Sequence, residues 1–105
     1  MRVALENALR VPPSQLLDGA RRELCALLAS HGITEPRVFG SVARHEDSAA
    51  SDLDLLVNVP PRFDVFDLAY LATQIEDLLG ITVDVVPDEG PSPLLDHARA
   101  EAVPL

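Results

Sequence analysis

The chain has one cysteine, eight basic residues against 17 acidic ones, and no apolar run approaching the ~20 residues of a membrane span. Each shortage excludes something. A lone cysteine cannot close an internal disulfide, which fits a reducing compartment. Cys25 lies in a helical pattern beside Leu24 and Leu28 and reads as a small buried hydrophobe. The net charge of −9 argues against direct nucleic-acid binding, because gripping phosphate backbones takes a basic surface. The same charge tolerates a triphosphate carried with a divalent cation, favours a basic protein partner, and serves solubility. No membrane association is expected. Asn7 and Glu6 stand where a signal peptide would have its apolar stretch, so the expected localisation is cytoplasmic. A length of 105 residues allows one core and one domain.

Residues 1–13 are ambiguous: Leu5, Ala8 and Leu9 could share a helical face that Pro12 and Pro13 end. A domain is expected over 14–105. From Ser14, a plausible N-cap, Leu17, Ala20, Leu24, Leu27 and Leu28 recur at helical spacing as far as Gly32, with His31 closing the helix. Gly19 weakens that helix. Arg37–Phe39 reads as a short strand, Val42–Arg44 as one helical turn, and 52–59 as a strand stopped by Pro60 and Pro61. A helix starts at Asp64, with Phe63 and Leu68 as a hydrophobic staple. Its apolar stripe is Leu68, Leu71, Ala72, Ile75, Leu78 and Leu79, and Glu76 and Asp77 lie on a solvated face. A strand over 81–86 and a helix over 94–102 complete the order, with Asp96, His97 and Arg99 as surface groups. The alternation predicts an α/β layer with helices on a small sheet.

The chemistry concentrates between Gly40 and Asp84. Gly40-Ser41 is followed, after ten residues, by Asp52-Leu53-Asp54. Strand alternation puts Asp52 and Asp54 on one face while Leu53, Leu55 and Val57 enter the core. Two adjacent carboxylates repel unless a cation lies between them, and a hard ion such as Mg²⁺, with oxygen ligands and room for phosphates, suits the pair. Asp84 is the single acid in a run of Ile, Val and Thr, where an ionisable group needs a partner or a purpose. On a strand beside Asp52 and Asp54 it could complete a two-metal cluster or serve as general base. Gly40 lets the backbone approach a phosphate closely; the Ser41 and Val42 amides, the Ser41 hydroxyl and Arg44 would supply donors. The pattern points to a metal-dependent nucleotide-transfer site. Each piece also has an ordinary reading, as a turn or as solvent-facing acids.

Gly40-Ser41, Asp52-Leu53-Asp54 and Asp84 resemble the minimal nucleotidyltransferases of the DNA-polymerase-β-like superfamily. So do Phe66-Asp67-Leu68, Val83-Asp84-Val85-Val86 and Ala100-Glu101-Ala102-Val103-Pro104-Leu105. The resemblance covers roughly residues 14–105. It implies a small mixed β-sheet flanked by helices, an α/β (α+β) nucleotidyltransferase core. It further implies that Gly40, Ser41 and Arg44 bind the triphosphate of ATP, and that Asp52, Asp54 and Asp84 hold Mg²⁺, two ions, with Asp84 the base. Many such proteins are antitoxins that move AMP from ATP onto a tyrosine of a HEPN-domain ribonuclease toxin. One position departs: His45 stands where the family has glycine, so a left-handed backbone there would be strained.

Two other functions fit the same residues. One is a non-catalytic antitoxin that neutralises its partner by binding alone. The other is a small-molecule nucleotidyltransferase, disfavoured because no second domain remains to build a substrate pocket. Self-association and partner docking both stay open.

Overall fold

The computed structural model describes residues 11–105. The helical face expected around Leu5, Ala8 and Leu9 lies outside them. Eight elements follow in order: α1 (Pro13–Ser30), β1 (Thr34–Phe39), α2 (Gly40–Ala43), β2 (Leu53–Asn58), α3 (Val65–Leu79), β3 (Val83–Pro87), α4 (Pro93–Glu101) and β4 (Val103–Pro104).

Helix α1 starts one residue before the position expected from Ser14. Pro12 is its N-cap and Pro13 its first residue, since a proline there loses no intrahelical bond and already has helical φ. The Ser14 amide instead receives a cap from elsewhere in the chain, donating to Asp47 Oδ2 at 2.9 Å. The helix ends as the sequence suggests. Gly32 at φ +75° lets its own amide reach Ala29 O and the Ile33 amide reach Leu28 O, a Schellman closure. Leu17, Leu24 and Leu28 are buried along one stripe. Cys25, expected to be buried, is only half-buried, because it sits one position round the helix from Leu24.

Asp64 caps α3 within a reciprocal box: the Asp67 amide donates to Asp64 Oδ1, and the Asp64 amide to Asp67 Oδ2. Phe63 and Leu68 both pack against the core. Leu71, Ile75 and Leu79 are buried, but Leu78 is 39% exposed and leaves the expected stripe. Glu76, expected on a solvated face, accepts from the Val83 amide at 3.0 Å and so fastens the start of β3.

The sheet order is β3-β2-β1-β4. β1 runs antiparallel to β2 and β4, and β2 runs parallel to β3 with α3 as the crossover. The mixed sheet agrees with the expected fold class. β1 extends further toward its N-terminus than Arg37, through a register shift between Thr34 and Arg37 where Pro36 can offer no ladder donor. β4 was not legible in the sequence; it is two residues long and one is a proline.

The sheet's two faces differ. Leu53, Leu55, Val57, Val83, Val85 and Val38 join the buried leucines of α1 and α3 in one core. The opposite face carries Phe39, Asp54, Asp84 and Val86, with α4 packed along part of it. Among the described residues no helix is long and apolar enough to cross a membrane.

Candidate active site

The polar face of β2 is where the expected residues meet. Asp54 lies opposite Phe39 in the β1–β2 register and opposite Asp84 in the β2–β3 register. In a parallel pair, partnered residues project to the same side, so both carboxylates stand on one face. Asp52 lies just before β2 rather than inside it and is exposed, while Asp54 is half-buried. Burial, then the charges of Asp84, Asp52 and Glu101, push the Asp54 carboxyl above the ordinary aspartate range, with Arg44 opposing.

Gly40 sits at the tip of β1, at φ +73°, and begins α2. A Cβ on Gly40 would press into Asp54 Oδ2, so only glycine fits beside that carboxylate. Two separate constraints therefore select glycine: the left-handed backbone and the contact with Asp54. The first intrahelical bond of α2 is from the Arg44 amide to Gly40 O at 3.1 Å. The Ser41 and Val42 amides precede it and have no intrahelical acceptor. Ser41 is half-buried, and Arg44 is exposed at the end of the turn.

His45 follows at φ +58°. The left-handed turn survives the absence of glycine there, held by the His45 amide on Val42 O and the Glu46 amide on Ser41 O. The departure at His45 therefore places a non-glycine residue in a left-handed turn, at some cost in strain.

One contributor escaped sequence reasoning. Glu101, at the end of α4, accepts from the Gly40 amide through Oε1 at 2.8 Å and from Arg44 Nη1 through Oε2 at 2.9 Å. These two donors, the amide foremost, hold its carboxyl below the usual glutamate range. The only sequence signal was the closing stretch from Ala100 to Leu105; no local pattern could pair residues 61 apart. Arg99, expected at the surface, is tied down as well. It donates to Asp88 Oδ1 at 2.6 Å, and Arg37 reaches Asp88 Oδ2 at 2.9 Å, joining α4 to β1.

Beside the acids lies a cleft of about 400 Å³, bounded by Gly40, Arg44, Asp84, Val86, Leu94 and Glu101. A larger concavity of about 630 Å³ on the outer surface of α1, around Asp18 and Arg22, contains none of these groups. Among the described residues no three acidic, histidine or cysteine side chains stand in closed metal-ligand geometry. The donor chemistry nonetheless fits a hard divalent ion. All the candidate ligands are carboxylate oxygens, and Asp54 carries uncompensated negative charge that a cation would relieve.

Comparison with known proteins gives the family. Residues 17–99 match the nucleotidyltransferase domain family, and the chain belongs to it. Within that family it is similar to small members. A solved structure, "Structure of putative minimal nucleotidyltransferase", superposes with a TM-score of 0.76 at 42% identity, covering 88% of this chain and 95% of that one. A protein of Methanocaldococcus jannaschii named "putative protein adenylyltransferase" is 37% identical over 88 residues, 83% of this chain and 95% of that protein. A crystal structure of a toxin–antitoxin with AMP-PNP shares the fold at a TM-score of 0.70 and 21% identity, covering 79% of this chain and 69% of that one.

Proposed function

We propose that this protein is a Mg²⁺-dependent protein adenylyltransferase, the antitoxin of a pair, that moves AMP from ATP to a tyrosine hydroxyl of a HEPN-type ribonuclease toxin in the cytoplasm. The observation that carries the reading is the register pairing of Asp54 with Asp84, with Gly40 closed against Asp54. The name of the M. jannaschii relative and the toxin–antitoxin description of the structural neighbour support the choice of acceptor and partner.

In this reading Gly40, Ser41 and Arg44 hold the triphosphate, and Asp52, Asp54 and Asp84 hold the metal. The acceptor oxygen bonds to the α-phosphorus. The bond from that phosphorus to the bridging oxygen of the β-phosphate breaks, and pyrophosphate departs. Asp84, exposed at the edge of the sheet, takes the hydroxyl proton. When bound, Mg²⁺ supplies charge neutralisation for the phosphates and the leaving group. In this reading the partner brings its own hydroxyl to the face that bears Asp54 and Asp84.

The test combines the protein, ATP labelled at the α-phosphate, Mg²⁺ and the toxin partner. Label transferred to the partner by the wild type, and lost in the Asp52→Asn plus Asp54→Asn variant by at least about 1,000-fold, is the expected result. Neutralisation of the toxin that persists in that variant, with no label transferred by the wild type, would replace this reading with inhibition by binding alone.

A further inference from the structure

We propose that Glu101 is a positioning residue for the triphosphate, fixing the Gly40 turn with one carboxylate oxygen and aiming Arg44 at the phosphates with the other. The inference rests on the nucleotide-site reading above and adds a residue to it.

Glu101 reaches the turn from a different element, the C-terminal end of α4. Its side chain is 17% exposed, and its two oxygens are used separately: Oε1 by the Gly40 amide, Oε2 by Arg44. His97 Nε2 stands 4.0 Å from Oε2, and the second contact of Arg44 is Glu46 at 3.2 Å. Bonding to the Gly40 amide leaves the next two amides, of Ser41 and Val42, ahead of the first intrahelical bond. The carboxylate therefore engages the Gly40 amide and leaves the Ser41 and Val42 amides unclaimed by it.

The charge matters as well as the shape. Glu101 adds to the negative field at Asp54. A neutral acceptor would serve the Gly40 amide without that electrostatic penalty. What a neutral side chain could not do is form a charge-assisted ion pair with a guanidinium. Arg44 is otherwise a long, exposed side chain with considerable rotamer freedom to lose on binding. Holding it beforehand between Glu101 and Glu46 moves that loss from the binding step to folding.

Calorimetric titration of AMP-PNP with Mg²⁺, and separately of AMP, tests the assignment on wild type, Glu101→Gln, Glu101→Asp, Arg44→Ala and the Glu101→Gln/Arg44→Ala double variant. Glutamine can still accept from Gly40 but cannot pair with Arg44. It is expected to weaken AMP-PNP binding about tenfold while changing AMP binding less than about twofold. Aspartate, which keeps the charge, restores part of the loss. In the Arg44→Ala background the glutamine substitution adds less than about twofold, because its effect passes through Arg44. Unchanged or tighter AMP-PNP binding in Glu101→Gln would overturn the proposal and make Glu101 a competitor of the phosphates. Equal losses for AMP-PNP and AMP, or full additivity with Arg44→Ala, would reduce it to a purely structural contact. If Glu101→Gln fails to fold, Glu101→Asp carries the same test: a selective loss of AMP-PNP affinity supports the assignment, and no loss refutes it. A wild type that binds no AMP-PNP sinks the nucleotide-site reading itself, a result distinct from all of these.

Discussion

At the scale of single residues, Asp54 is the focus of the molecule. It is half-buried, faces Asp84 across a strand pair, and sits where a side chain on Gly40 would go. Its raised pKa has a definite consequence for stability. Below the ordinary aspartate value of 3.8 both folded and unfolded chains carry it protonated, and it costs nothing. As pH rises through the raised folded-state value, the native state must ionise it among like charges and loses stability. Asp54→Asn should therefore melt a few degrees above the metal-free wild type at pH 7, with the gap closing in acid. Mg²⁺ should raise the melting point of the wild type and leave the variant nearly unmoved. Thermal scans at several pH values, with and without Mg²⁺, check both. That Asp54 and Asp84 could share a face was legible from period-2 alternation; that their strands are parallel neighbours with the two acids in register was not, because pairing is set by tertiary contact. The place of Asp52, just outside β2, was not, since alternation says nothing about where a ladder begins. Glu101 was illegible for a different reason: its partners lie in another part of the chain.

At the scale of elements, what was legible followed local chemistry. The helix start at Asp64, the Gly32 closure and the leucine stripes of α1 and α3 each depend on residues within a turn or two of one another. What was misjudged depended on tertiary contact. Ser14 is capped by Asp47 rather than acting as a cap, Glu76 serves a strand, and β4 exists only because β1 has a free edge to receive it. Burial at Asp47 works to raise its carboxyl, but bonds from the Ser14 amide and hydroxyl and from its own amide, with the His45 charge, together outweigh this and leave it below the ordinary range. One element holds an unexploited reserve. Gly19 lies inside α1 with open space where its side chain would be. Gly19→Ala should stabilise the domain by about 1 kcal/mol, through the smaller backbone entropy of the unfolded chain and the better helix propensity of alanine. Urea unfolding, with an unchanged m-value and a higher midpoint, measures it.

At the scale of the whole molecule, the two faces of one sheet divide the labour. The side under α1 and α3 is a packed apolar layer, and the other side is mixed: Leu56 is buried there, Asp54 is half-buried, and Asp84 at the sheet edge is exposed. The division explains how 105 residues with a net charge of −9 keep a continuous core: the acids are spent on surfaces and one cluster, and none of the described residues is a buried charge. The clasp between Gly40 and Glu101 also carries a kinetic consequence. It closes a span of 61 residues, whereas the helices close within themselves. Long spans form late because their chain entropy must be overcome before their bonds exist. A refolding chain should thus regain its far-ultraviolet helical signal before it regains any affinity for AMP-PNP, and a stopped-flow comparison of the two signals would time the interval between a chain that looks native and one that can grip its ligand.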